Sequence, residues 1–150
     1  MLWGIGAASA SDEPVGLMAV GLVDDNSETD LVTIGKDGVP SVWLASAGAL
    51  SRDGAFSQSL SAQLGSEPVR SIAVADLDHD GLADVIVSRK SQLQWLANQS
   101  NRTFAAPVVL VDLPDSASTL DVGPIDSNNS PDLVVGLLGV TLISYLNQAP

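Results

Sequence analysis

Four aspartates, Asp76, Asp78, Asp80 and Asp84, fall within nine residues around Gly81 in the stretch DLDHDGLADVIV. Two carboxylates about 4 Å apart repel by about 4 kcal/mol at an effective dielectric near 20, and a bound cation would offset that cost. Asp76, Asp78 and Asp80 alternate, so a turning backbone can direct their oxygens into one concavity. Gly81 permits a sharp turn at positive φ, Leu82 can offer its backbone carbonyl, and Asp84 returns a last carboxylate. An all-oxygen shell suits a hard cation, and Ca²⁺, with 6–8 oxygen ligands, fits a flexible loop better than Mg²⁺. The first six positions imitate an EF-hand. That loop, however, needs a bidentate Glu at position twelve, where Val87 stands, and its flanks are helical rather than strand-like. The plain alternative is an acidic hairpin turn with no metal.

Two weaker copies of the loop follow from the same spacing. Asp24, Asn26 and Asp30 match Asp78, Asp80 and Asp84, with Leu22 in place of Asp76 and Ser27 in place of Gly81. Asp126, Asn128 and Asp132 match likewise, with Pro124 and Asn129 at the two changed positions. Each copy loses one carboxylate and neutralises another, so weak calcium binding and a metal-free Asx turn both remain open there. The three loops hold ten of the 18 acidic residues, so the negative charge is concentrated where ligands would stand.

The elements that carry these loops repeat as well. Asp30, Asp84 and Asp132 are 54 and 48 residues apart, each with an apolar run before it and β-branched residues after it. LQWLAN (93–98) aligns with SVWLAS (41–46) and LISYLN (142–147), placing Trp43, Trp95 and Tyr145 at one repeat position, where packing inside the unit is expected. TFAAPVVL (103–110) aligns with AFSQSLSA (55–62). Four strands per unit follow, at about 70–76, 83–89, 91–98 and 104–112 in the middle copy, with Gly, Pro, Asn and Ser clusters between them. Phe56, Leu60 and Leu64 fit a helical stripe or one face of a strand, and the repeat register favours the strand. The apolar stretch Leu133–Leu146 is interrupted by Gly136 and Gly139 and too short to cross a bilayer; it is expected to form two buried strands.

The middle unit resembles the FG-GAP/VCBS repeat of integrin-like β-propellers: DLDHDGLAD stands where that family has its calcium loop, and Phe104, Ala105, Ala106 and Pro107 stand where it has its second motif. The resemblance implies an all-β fold of four-stranded antiparallel propeller blades. The boundaries read as a closing strand at 1–10 that includes Trp3, repeat 1 at 11–66, repeat 2 at 67–116 and an incomplete repeat 3 at 117–150. That is a permuted order of one, four, four and three strands. Propellers have four to eight blades, so three blades imply either a piece of a longer array or copies that complete a propeller by assembly.

Composition narrows the function. The 150 residues carry 18 acidic and 6 basic side chains, a formal charge of −12, which excludes a phosphate-backbone partner. A hydrophobic content of 45% and a mean hydropathy of +0.26 argue against disorder. No cysteine is present, so disulfides and thiolate metal sites are excluded. The start, MLWGIGAASASD, lacks the positive flank and apolar length of a secretory leader. His79 is the sole histidine, and no nucleophile elbow, zinc-protease or phosphate-loop motif occurs.

The sequence is therefore expected to encode a non-enzymatic, calcium-binding scaffold for adhesion or protein interaction, without membrane insertion. Sites in extracellular modules bind at about 10⁻⁴–10⁻³ M, which implies secretion or surface display. Two alternatives are a lectin whose Trp43, Trp95 and Tyr145 stack on sugars, and an accessory module of a secreted enzyme.

Overall fold

The computed structural model describes residues 14–128, 130–139 and 142–147; the expected closing strand at 1–10, with Trp3, lies outside them. The described residues form three antiparallel sheets in chain order. The first contains β1 (Val15–Gly21), β2 (Asp30–Gly35), β3 (Pro40–Ser46) and β4 (Ala49–Asp53). A helix, α1 (Gly54–Leu64), leads to the second, with β5 (Ser71–Ala75), β6 (Asp84–Arg89), β7 (Gln92–Leu96) and β8 (Val108–Asp112). The third has β9 (Ala117–Gly123), β10 (Asp132–Leu137) and β11 (Leu142–Tyr145). Each sheet is an up-and-down meander, and its leading strand packs beside the next, β1 against β5 and β5 against β9. This is the arrangement of successive propeller blades. No described helix is long and apolar enough to cross a membrane.

Burial follows strand parity. Counting onward from the recurring aspartate at the start of each second strand (Asp30, Asp84 and Asp132), odd residues face the preceding blade and even residues the following one. Val85, Val87 and Leu96 thus join Val32, Ile34, Val42 and Leu44 in a core between blades 1 and 2. Ile86 and Leu93 join Leu120, Leu133 and Val135 in a second core between blades 2 and 3. Every residue of β6 is buried, because this strand is covered on both faces. A run of Val-Ile-Val suits that position, since β-branched side chains pack well on a pleated surface.

The segment Phe56–Leu64, expected as a strand, is helical. Asp53 caps it, Oδ1 accepting from the Phe56 N–H at 2.8 Å, and the Gly65 N–H closes the far end on the Ser61 carbonyl at 3.0 Å with φ +58°. Phe56, Leu60 and Leu64 are buried against the first core. The fourth strand of blade 1 is β4, upstream of the helix. Phe56 meets Phe104 with ring centroids 5.5 Å apart, so the two phenylalanines that align in sequence pack on each other across a blade junction. Burying each contributes about 2–3 kcal/mol.

Candidate metal centre

Each loop is built around one buried aspartate. Asp30 Oδ2 accepts from the Val23 N–H at 2.8 Å, Asp84 Oδ2 from Leu77 at 3.0 Å, and Asp132 Oδ2 from Ile125 at 2.7 Å. The donor is seven residues upstream every time. The other oxygen, Oδ1, accepts from the end of the third strand: Ala45, Asn98 and Asn147, each at 2.8 Å. This carboxylate therefore ties both ends of its hairpin together, which explains why it recurs in all three copies. Buried backbone donors left without such a partner would be costly.

The loops differ four residues before that aspartate. In the first, Asn26 Nδ2 donates to the Ala45 carbonyl at 2.9 Å; in the third, Asn128 Nδ2 donates to the Asn147 carbonyl at 2.7 Å. The backbone is held by matching Asx turns, from the Asn26 N–H to Asp24 and from the Asn128 N–H to Asp126. In the middle loop the position is Asp80, which cannot donate. Its Oδ1 accepts from the Leu82 N–H at 2.8 Å, as Asn26 Oδ1 accepts from the Glu28 N–H and Asn128 Oδ1 from the Ser130 N–H. The missing amide bridge is therefore the difference. Glu28 serves the turn after β3, accepting from the Ala47 and Gly48 N–H groups at 2.9 and 3.2 Å.

Asp76, Asp78 and Asp84 each place a carboxylate oxygen within 4.8 Å of the others. Asp80 lies outside that trio, as do the side chains of the two outer loops. The Asp80 and Gly81 N–H groups donate to the two oxygens of Asp76 at 3.1 and 2.9 Å, so the loop wraps around that carboxylate. Gly81 has φ +92°, as the turn requires, and His79 is also left-handed at +62°. The ion pairs among the described residues, Lys90–Glu67 and Arg102–Asp53, do not involve this loop. Burial pushes the Asp84 carboxyl above its ordinary value; the Asn98 and Leu77 N–H groups oppose it, and the Asp78 charge adds to the rise. A hard cation suits this set: the oxygens are carboxylates, they converge, and among the described residues no ion pair neutralises them.

The blade junctions carry polar latches that the sequence did not single out. Asn98 Nδ2 donates to the Val23 carbonyl at 2.7 Å and the Ala83 carbonyl at 3.2 Å. Asn147 Nδ2 donates to the Leu77 carbonyl at 3.3 Å, and His79 Nε2 lies 3.3 Å from Ser130 Oγ. The available signal was an Asn ending both LQWLAN and LISYLN.

The three aromatics do not share one structural position. Trp43 pairs with Leu31 and Tyr145 with Leu133, each one residue past its aspartate, but in blade 2 the residue paired with Val85 is Leu96. Five residues separate the pair Ile34–Pro40 and the pair Gly136–Leu142, whereas two separate Arg89–Gln92. That odd difference turns Trp95 to the opposite face. Trp95 and Tyr145 consequently line one groove of about 250 Å³ between blades 2 and 3, with Leu77, Leu133 and Asn147. Trp43 is elsewhere, its Nε1 donating to Thr33 Oγ1 at 3.3 Å.

The FG-GAP-like repeat family matches the chain over residues 23–87 and 76–135, so its two copies cover most of the sequence. The chain belongs to the FG-GAP-like repeat family. The first match runs from the blade 1 loop into β6, and the second from the start of the acidic loop into β10. An FG-GAP-like repeat thus straddles a blade junction, which is where the aspartate loops and asparagine latches lie. No curated protein matches the chain.

Proposed function

We propose that this FG-GAP-like chain is a calcium-stabilised propeller module that acts without catalysis, as a rigid extracellular platform for adhesion or protein interaction. The observation that carries this reading is the convergence of Asp76, Asp78 and Asp84 within 4.8 Å. When bound there, Ca²⁺ would supply positive charge that draws the three carboxylates together, and the Asp80 side chain and Leu82 carbonyl would add further oxygen ligands from the same loop. One ion per chain is proposed. In the outer loops the amides of Asn26 and Asn128 already bridge to backbone carbonyls, a neutral closure at the position where the middle loop has the carboxylate of Asp80.

The non-catalytic reading is supported by the placement of His79. Its one described partner, the Ser130 hydroxyl, belongs to a residue only 2% exposed, which is no accessible nucleophile. Extracellular placement rests on affinity: carboxylate sites of this kind in extracellular modules bind at about 10⁻⁴–10⁻³ M. A sugar-stacking ring is not supported, because Trp43 lies apart from the groove that Trp95 and Tyr145 share.

The test is a thermal melt of the whole chain in millimolar calcium and in excess chelator. At a calcium level about ten times Kd, binding stabilises by about 1.4 kcal/mol, which shifts the melting temperature by about 3–6 °C. Asp78→Ala should remove the shift. Identical melts with calcium and chelator would refute the calcium reading.

A further inference from the structure

Among the described residues, each junction sets the odd-parity face of one blade on the even-parity face of the blade before it. The odd face of blade 1 and the even face of blade 3 have no described blade against them. On the odd face, Met18, Ile72 and Leu120 occupy the same place, twelve residues before Asp30, Asp84 and Asp132. Ile72 and Leu120 are 7% exposed, whereas Met18 is 61% exposed and its neighbour Val20 also 61%. On the even face, Leu93 and Leu142 pair with the residue four past the aspartate, Ser88 and Gly136. Leu93 is fully buried, but Leu142 is 71% exposed. Both leftover faces thus present apolar side chains at positions that are buried wherever a neighbouring blade covers them.

We propose that these two faces are halves of one interface, and that blade 1 of one copy docks on blade 3 of a second copy, head to tail. The occupant follows from continuity. Among the described residues an odd face is covered by the even face of the blade before it, with α1 added at the first junction, and a second copy supplies such an even face in the matching register. Head-to-tail contacts form rings when their rotation closes. Two copies give six blades, within the range of closed propellers, so the closed product is a dimer with two equivalent junctions. The amide latch is lacking at this junction. The blade 1 counterpart of Asn98 and Asn147 is Ala45, whose N–H donates to Asp30 Oδ1 as theirs do to Asp84 and Asp132 but which has no side-chain amide, so apolar contact must carry the docking.

The test is sedimentation and light scattering of the whole chain with calcium, comparing wild type, Met18→Glu, Leu142→Glu and an equimolar mixture of the two variants. Both substitutions fall on exposed side chains, so each copy should keep its circular dichroism spectrum; Val20→Glu provides a second variant of the odd face. Wild type should be a dimer of twice 15.4 kDa. Each variant alone should dimerise at least about 100-fold more weakly, because a charge is buried in both junctions. The mixture should regain a dimer through the one junction whose two faces are intact. A monomeric wild type overturns the proposal and leaves these faces to another partner. So does an open ladder of oligomers, dimers that survive both substitutions, or a dimer that survives only one of them, which would signify like faces pairing.

Discussion

The side-chain amide of Asn98 donates to the Val23 carbonyl at 2.7 Å, joining residues 75 apart in sequence and two successive blades. The Val23 N–H donates in turn to Asp30. One residue therefore connects the aspartate that closes the first loop to the asparagine that ends the third strand of the next blade. Asp84, Leu77 and Asn147 repeat the connection one blade later.

Asn98→Ala leaves the Val23 and Ala83 carbonyls without this donor in a buried site, at a cost of about 2–4 kcal/mol. Asn147→Ala removes a longer bond in a half-buried place and should cost about 1 kcal/mol. Urea unfolding midpoints of the two variants measure the difference. Equal losses would contradict the greater role assigned to the first junction.

Gly21 lies where β1 approaches blade 2. A Cβ there would stand 2.5 Å from Val74 Cγ1 and 3.1 Å from Ala83 Cβ. Gly21→Ala should therefore destabilise by about 1–3 kcal/mol through overpacking. At Gly81, by contrast, a Cβ meets nothing within 4 Å, so Gly81→Ala should cost only its backbone strain at positive φ, about 1–2 kcal/mol. Thermal melts in chelator separate the two cases, since the first should also loosen the blade 1–2 core and raise the fluorescence of an apolar dye.

Asn26→Asp removes the amide that bridges to the Ala45 carbonyl and adds a charge beside Asp24 and Asp30. In chelator it should destabilise by about 1–3 kcal/mol. Millimolar calcium should recover part of that loss, because the altered loop then has the carboxylate pattern of the middle one except for Leu22. A loss that calcium leaves unchanged would show that the asparagine does not stand in for a cation.

Acidity distinguishes the outer loop from the middle one. The Ile125 N–H is the main cause holding the Asp132 carboxyl below its ordinary value, against burial, with help from the Asn147 and Asp126 N–H groups. A depressed value means that the contribution is complete above the unfolded value, about 3.9, and is lost as pH falls through the folded one. Asp84 has the opposite sign, since burial raises it and acidification relieves its charge. In chelator, urea midpoints from pH 5 downward should fall more steeply for wild type than for Asp132→Asn. Parallel curves would contradict this.

Much of the architecture was legible because the repeat constrains it. The β-branched run after each aspartate and the Gly and Asn clusters between runs mark β5, β6 and β7 within one or two residues of their observed ends. The helix was misread because Phe56, Leu60 and Leu64 satisfy both periods, and alignment with Phe104 outweighed local signals. Those signals were present: Asp53 as a cap, Gly65 as a stop, and no β-branched residue between them. Trp95 was misplaced because alignment by residue type hides a change of turn length, and an odd change reverses every side chain beyond it. At the acidic loop, the expected shell was Asp76, Asp78, Asp80, Leu82 and Asp84, of which Asp76, Asp78 and Asp84 converge and Asp80 stands outside the trio. Spacing could not reveal that the final aspartate also holds the hairpin, since its donors are backbone groups.

The central claim is that the middle loop, and only that loop, holds a cation. Isothermal titration of the chelator-treated chain with calcium tests it most directly. One ion per chain is expected, with no heat remaining after Asp78→Ala and an unchanged isotherm after Asn128→Ala. Absence of binding in the wild type, or a stoichiometry of two or three, would contradict it.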